Sequence, residues 1–148
     1  MFFFWKHKPP FNNLQESRLF DETSFYEQFI KDLYSCKKEV IIESPYVTSS
    51  RMEVLLPVFK KLISRGIKTH IITRDPIEHD ENMRDQATNE LLACSEIGIS
   101  VKLLRGNFHR KVALIDNEII WEGSLNILSQ SNSREIMRRT FGKKYVTE

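Results

Sequence analysis

One stretch of the chain brings chemically capable residues close together. It runs His109-Arg110-Lys111-Val112-Ala113-Leu114-Ile115-Asp116 and continues to Gly123-Ser124-Leu125-Asn126, giving the pattern H-x-K-x4-D-x6-G-S-x-N. A neutral imidazole is a competent nucleophile near pH 7, and an imidazolium is a competent acid there. Lys111 offers a compact positive charge to an anionic reaction centre. Ser124 and Asn126 offer neutral donors, and they also suit caps on the next segment. On a strand, residues two apart share a face, so His109 and Lys111 are expected to point the same way. Asp116 has the opposite parity to His109. It is expected on the other side of the pleat or in an Asp116-Asn117 turn, where a structural role is favoured. Gly123 permits a positive φ.

These residues need a scaffold, and the patterning describes one. Residues 1–20 read as an irregular N-terminal segment and residues 21–148 as a single domain. Phe25, Phe29, Ile30 and Leu33 mark one face of a helix, with Asp21 or Thr23 as its cap. Val40-Ile41-Ile42 reads as a buried strand ending at Ser44-Pro45-Tyr46. Ser49 or Ser50 can cap a second helix carrying Met52, Leu55, Leu56, Phe59, Leu62 and Ile63; Pro57 lies inside it and Gly66 closes it. Ile67 to Ile72 is a second strand, and a polar loop follows it. A third helix carries Met83, Ala87, Leu91 and Leu92, and Ile99 to Leu104 is a third strand. This alternation predicts an α/β fold with a mixed, largely parallel sheet flanked by helices. Ligands in such sheets bind beyond the strands' carboxyl ends, where Ser44-Pro45-Tyr46 and Thr73-Arg74-Asp75 are expected. His109 to Ile115 then reads as a strand, Glu118 to Trp121 as its hairpin return, and Glu135 to Arg138 as a last short strand.

Composition narrows the function. The chain has 148 residues, 22 Lys plus Arg against 20 Asp plus Glu, a net charge of +2. That balance argues against a polybasic binder held to nucleic acid by charge alone, though not against a local basic groove. Arg134, Arg138, Arg139, Lys143 and Lys144 cluster near the C-terminus, and Arg105 and Arg110 flank the motif. Together they form a candidate phosphate-tracking rim; the plainer alternative is a solvated terminal strand. Cys36 and Cys94 form no CxxC pair and read as buried thiols. His70, Asp75, His79 and Asp80 match no metal-site spacing. No apolar stretch approaches the about 20 residues of a membrane span. Phe2-Phe3-Phe4-Trp5 is too short for a signal sequence. A cytoplasmic protein without stable membrane association is expected.

The H-x-K-x4-D-x6-G-S-x-N pattern resembles the HKD motif of the phospholipase D superfamily, and the resemblance covers roughly residues 22–140. One copy is present, as in the small HKD endonucleases. The resemblance implies a phosphodiesterase, most specifically a nuclease acting on DNA or RNA. It implies a homodimer that builds one active site from two motifs, with one His109 forming a phosphohistidine and the other protonating the leaving oxygen. It implies Lys111, Ser124 and Asn126 on the phosphoryl oxygens, Asp116 as the motif's acid, and Glu135 hydrogen-bonded to a catalytic histidine. No cofactor or metal is implied. A phospholipase or phosphatidyltransferase shares the same residues, and a non-catalytic nucleic-acid-binding module keeps the same fold. By family analogy, a helicase or a defence or mobile-element protein is a candidate partner that delivers the substrate.

Overall fold

Alternating burial makes the central strands. In β2 (Glu39–Glu43), Val40 and Ile42 are buried while Glu39, Ile41 and Glu43 are half-buried. β3 (Lys68–Arg74) and β5 (Val112–Ile115) repeat the pattern. One sheet face therefore turns to a core and the other stays partly open. The structure, a computed structural model, describes residues 14–142. It also contains β1 (Leu14–Asp21), β4 (Ser100–Leu104), β6 (Ile119–Gly123) and β7 (Ile136–Gly142). Three helices join them: α1 (Phe25–Ser35), α2 (Ser49–Ser64) and α3 (Glu81–Glu96). The sheet order is β1-β7-β6-β5-β2-β3-β4.

The sheet is mixed, but less parallel than the sequence predicts. Only β2–β3 and β3–β4 pair in parallel. β1–β7, β7–β6, β6–β5 and β5–β2 are antiparallel. The departure lies in β5 docking antiparallel to β2 and in β1 joining β7; the expected hairpin is made by the turn at Asp116 and Asn117, where both φ angles are positive, 53° and 55°. Such a turn matches strand twist and folds β6 back onto β5. Residues 14–20, expected to be irregular, lie in β1, which completes the sheet edge against β7. Residues 1–13, including the Phe2–Trp5 run, lie outside the described residues.

The helices form one layer, α1 against α2 and α2 against α3. Asp21 serves the entry to α1: its Oδ1 accepts from the backbone N–H groups of Thr23 and Ser24. Thr48, not Ser49 or Ser50, is the N-cap of α2, and the helix runs through Pro57. Asp80 caps α3 by accepting from Met83 N. Trp121 is fully buried where β1, α1 and β6 meet, its ring 4.9 Å from both Phe20 and Phe25. Its indole N–H donates to Asp32, which also accepts a forked pair of bonds from Arg139 at 2.8 and 2.9 Å. Arg139 is therefore a core ion-pair residue and leaves the basic rim. Its side chain points through the helix-facing side of β7, where a buried carboxylate requires a cation. Cys36 and Cys94 are both buried free thiols. Among the described residues, no helix is long and apolar enough to cross a membrane.

Candidate active site

The register of β5 sets the site. Val112 pairs with Glu43 at the carboxyl end of β2 and with Glu122 near the end of β6. Lys111, Ser124 and the segment after β2 therefore emerge at one end of the sheet. The start of β7 joins them, because Gly123 pairs with Met137. Ser124 N donates to Ile136 O at 2.9 Å, and Ile136 N donates to Ser124 Oγ at 3.0 Å. Gly123 is required by this close approach. A Cβ there would stand 2.1 Å from Ile136 O, so any side chain would force β6 and β7 apart.

His109 and Lys111 precede the strand and do not lie on it. β5 begins at Val112, and the chain before it turns through Gly106 and Asn107 at φ 93° and 69°. The parity expected of a strand therefore does not orient His109. Local bonds do so instead. His109 Nε2 lies 3.0 Å from Asn107 Oδ1, and Lys111 Nζ donates to His109 O at 2.7 Å. Gly106 N donates to Glu78, which also takes a bond from Arg74. His109 is exposed and Lys111 half-buried.

Glu135 stands among Ser124, Ser133 and Lys111. The hydroxyls of Ser124 and Ser133 hold its carboxyl below the ordinary range, and the charge of Lys111 adds to them. Ser133 Oγ donates to Glu135 Oε1 at 2.7 Å. Within one protomer, the bond recorded for the His109 ring goes to Asn107, not to Glu135. The Oδ1 of Asn126 is buried with no hydrogen-bond partner among the described residues. A group of that kind is costly to leave unpaired in a purely structural position.

Asp116 is not at this site. It lies at the far end of β5, where its carboxylate accepts from the backbone N–H groups of Lys37, Lys38 and Glu39 at 2.8–3.0 Å. Burial raises its pKa, but these bonds and the Cys36 thiol outweigh burial and hold the carboxyl below its ordinary value. Its place in the catalytic set is corrected accordingly: it clamps the α1–β2 connection.

The candidate rim is only partly assembled. Arg105 pairs with Asp75 and Arg110 with Glu43, each at 2.8 Å, which neutralises much of their charge. Arg134 and Arg138 are exposed, and Arg138 reaches Ser17 at 3.3 Å. Lys143 and Lys144 lie outside the described residues. His70, Asp75, His79 and Asp80 are dispersed. His70 faces Glu39, Asp75 holds Arg105, His79 stacks on Tyr46 and Asp80 caps α3. Among the described residues, no cluster of three or more such side chains could hold a metal ion.

The structure gives Ser44, expected only as part of the segment ending its strand, a specific partner, and adds Thr48 and Arg51, which the sequence patterning did not single out. Buried Ser44 accepts from Leu128 N, and Thr48 Oγ1 accepts from Gln130 N. These bonds fasten the segment after Asn126 to the loop after β2. Arg51 lies over the Tyr26 ring beside them. All are contacts across large sequence separations, which local pattern does not encode.

The family model described as cardiolipin synthase, PLD-like domain, matches residues 29–147. Cardiolipin synthase A from Buchnera aphidicola (strain Tuc7) is 29% identical over 113 residues, 73% of this chain. The chain spans 22% of the length of that relative. Among solved structures, the phospholipase D family member Nuc from Salmonella typhimurium superposes with a TM-score of 0.66 at 16% identity. The match covers 86% of this chain and 83% of that one. NucT from Helicobacter pylori gives 0.60 at 23% identity, covering 85% of each chain. Phosphatidylserine synthase from Haemophilus influenzae gives 0.66 at 16% identity, covering 86% of this chain and 35% of that one.

Proposed function

This chain belongs to the phospholipase D-like family, and from that premise we infer that it is a phosphodiesterase whose substrate is a nucleic acid. The observation that carries the nucleic-acid reading is the polarity beside the site. The cavity next to Glu135 is walled largely by hydroxyl and amide side chains and by Arg51. Sugar and phosphate surfaces match such walls, whereas acyl chains need an apolar lining. A mainly apolar groove lies at the α3–β4 edge, with β2 and β3 between it and β5.

A homodimer completes the chemistry. One protomer supplies one His109, and the reaction needs two imidazoles. His109 of one copy attacks phosphorus, and the bond from phosphorus to the leaving oxygen breaks. The second copy's imidazolium gives that oxygen its proton. Water then attacks the phosphohistidine, the phosphorus–nitrogen bond breaks, and the second imidazole accepts the water's proton. Lys111 and the donors Ser124 and Asn126 stabilise the negative charge that builds on phosphorus-bound oxygen. Glu135, anionic beside them, supports the imidazolium state.

A cleavage assay in EDTA tests the reading with single-stranded DNA, duplex DNA, RNA and phosphatidylcholine vesicles. Wild type is expected to cut a nucleic acid, and His109→Ala to lose at least about 10³-fold in rate. The match to cardiolipin synthases favours a second reading, phosphatidyl transfer. Headgroup release from the vesicles without nucleic-acid cleavage would put that reading in place of the first. Salt-sensitive binding with no turnover would leave a binding module.

A further inference from the structure

Glu135 belongs to two places at once. It stands beside Ser124 and Lys111, and it also lines a cavity of about 240 Å³. Tyr26, Arg51 and the run from Ser129 to Ser133 form other walls, and Glu22 contributes a second carboxylate. Arg51 is the one cation among the lining residues. Its guanidinium lies 3.6 Å from the centre of the Tyr26 ring and donates through Nη2 to Gln130 Oε1. Its Nε is buried with no hydrogen-bond partner among the described residues. Arg74, Arg105, Arg110 and Arg139 each hold a carboxylate, but no described carboxylate reaches Arg51 within ion-pair distance.

A guanidinium placed over an aromatic ring and tied through Nη2 to Gln130 is an oriented cationic donor, suited to a phosphate oxygen. Ser133 gives its hydroxyl proton to Glu135 and Ser131 gives its own to Ser133, so the neutral donors lining the cavity are the amide groups of Gln130 and Asn132. Arg51 also stands in the first turn of α2. The N-cap hydroxyl of Thr48 accepts from Gln130 N and makes no capping bond to a backbone N–H of its own helix. Ser49 N reaches Gln86, and the helix end adds a further positive contribution at Arg51. Glu22 and Glu135 both oppose capture of a free anion. A phosphate tethered to an already bound strand meets that opposition at high effective concentration.

We propose that this cavity is a second phosphate subsite, in which Arg51, flanked by the amide side chains of Gln130 and Asn132, holds the phosphate neighbouring the reacting one on the same polynucleotide strand. The proposal rests on the phosphodiesterase reading and extends it to the substrate: a polymer with a phosphate at every residue, not an isolated diester.

The test compares bis(p-nitrophenyl) phosphate, which has one phosphate, with a single-stranded oligonucleotide. Arg51→Gln and Ser131→Asp are expected to raise the oligonucleotide KM about tenfold, with a smaller effect on kcat. The ratio of kcat/KM for the oligonucleotide to that for the small diester falls about tenfold. The salt dependence of oligonucleotide kcat/KM weakens by roughly 0.7 in log–log slope for Arg51→Gln. Arg51→Lys restores part of the loss. Ser131 is exposed, so its variant keeps the test valid if loss of the Arg51–Tyr26 stack unfolds the protein. An unchanged ratio in both folded variants overturns the subsite. If wild type cuts neither substrate, the enzymatic reading fails separately. Fluorescence anisotropy of a labelled oligonucleotide then decides: about tenfold weaker binding by both variants upholds the subsite, and equal binding overturns it. If the variants impair headgroup release from phosphatidylcholine vesicles instead, the polynucleotide assignment is overturned.

Discussion

Asp116 shows how a motif residue can be indispensable without touching the reaction. Its side chain accepts three backbone N–H bonds from Lys37, Lys38 and Glu39, and Cys36 Sγ lies 3.2 Å from it. Asp116→Ala would leave those donors unpaired at a chain reversal. The expected loss is about 2–3 kcal/mol in urea unfolding, while the folded variant retains kcat. The pH dependence has a definite sign. The folded carboxyl titrates below its ordinary value of 3.8, so its stabilisation is complete above that value and is lost as pH falls through the folded value. The gap between wild type and Asp116→Ala should therefore narrow only in strong acid. The turn chemistry of Asp116-Asn117 was enough to favour a structural place for Asp116, whereas the parity argument fell with the strand assignment of His109. No such signal marked Arg51, whose role comes from Tyr26 and Gln130, 25 residues before it and 79 after it. Nor did the sequence separate Arg139 from its exposed neighbours, because a basic strand residue can face either way.

Among the elements, strands with strong alternation were legible and those without it were not. β2, β3 and β5 present a buried residue at every second position, as their apolar runs predict. β1 has the sequence LQESRLFD and owes its conformation to pairing with β7. Its polarity hides it from local reading. The three helices were legible from their apolar stripes, although the cap of α2 fell one residue earlier than expected. The His109 loop was misread as strand because its last residues continue smoothly into Val112. Gly106 and Asn107, both at positive φ, mark the true bend. β7 is tied to α1 and β6 by the Arg139–Asp32–Trp121 network. Arg139→Met leaves Asp32 as an uncompensated buried charge. The expected cost is about 3–5 kcal/mol by thermal or denaturant unfolding. Oligonucleotide binding, measured where the variant is folded, should stay near wild type, because Arg139 contributes no free charge to the rim.

At the scale of the whole molecule, the proposed chemistry needs a second protomer. Equal amounts of wild type and His109→Ala, unfolded together and refolded, should give about one quarter of the activity of the same total wild type if both imidazoles are required. One half would mean that each protomer works alone. The parallel half of the sheet, β2-β3-β4, follows from right-handed crossovers and could be derived from the order of elements. In the antiparallel half, the β5–β6 hairpin was legible from its Asp116-Asn117 turn, whereas the β2–β5, β6–β7 and β1–β7 pairings are long-range and local sequence did not specify them. The finished sheet leaves β4 at one margin, with β3 on its inner side alone. An unpaired margin is where chains of different molecules join and aggregate. β4 is five residues long and carries exposed Lys102, with Arg105 just beyond its end. The shortness of β4 and the charge of Lys102 oppose strand pairing there, against the exposed Leu103 beside it; Asp75 takes up the charge of Arg105. Resistance to strand addition at this margin thus rests on the brevity of β4 and on Lys102, with β2 and β3 between them and β5.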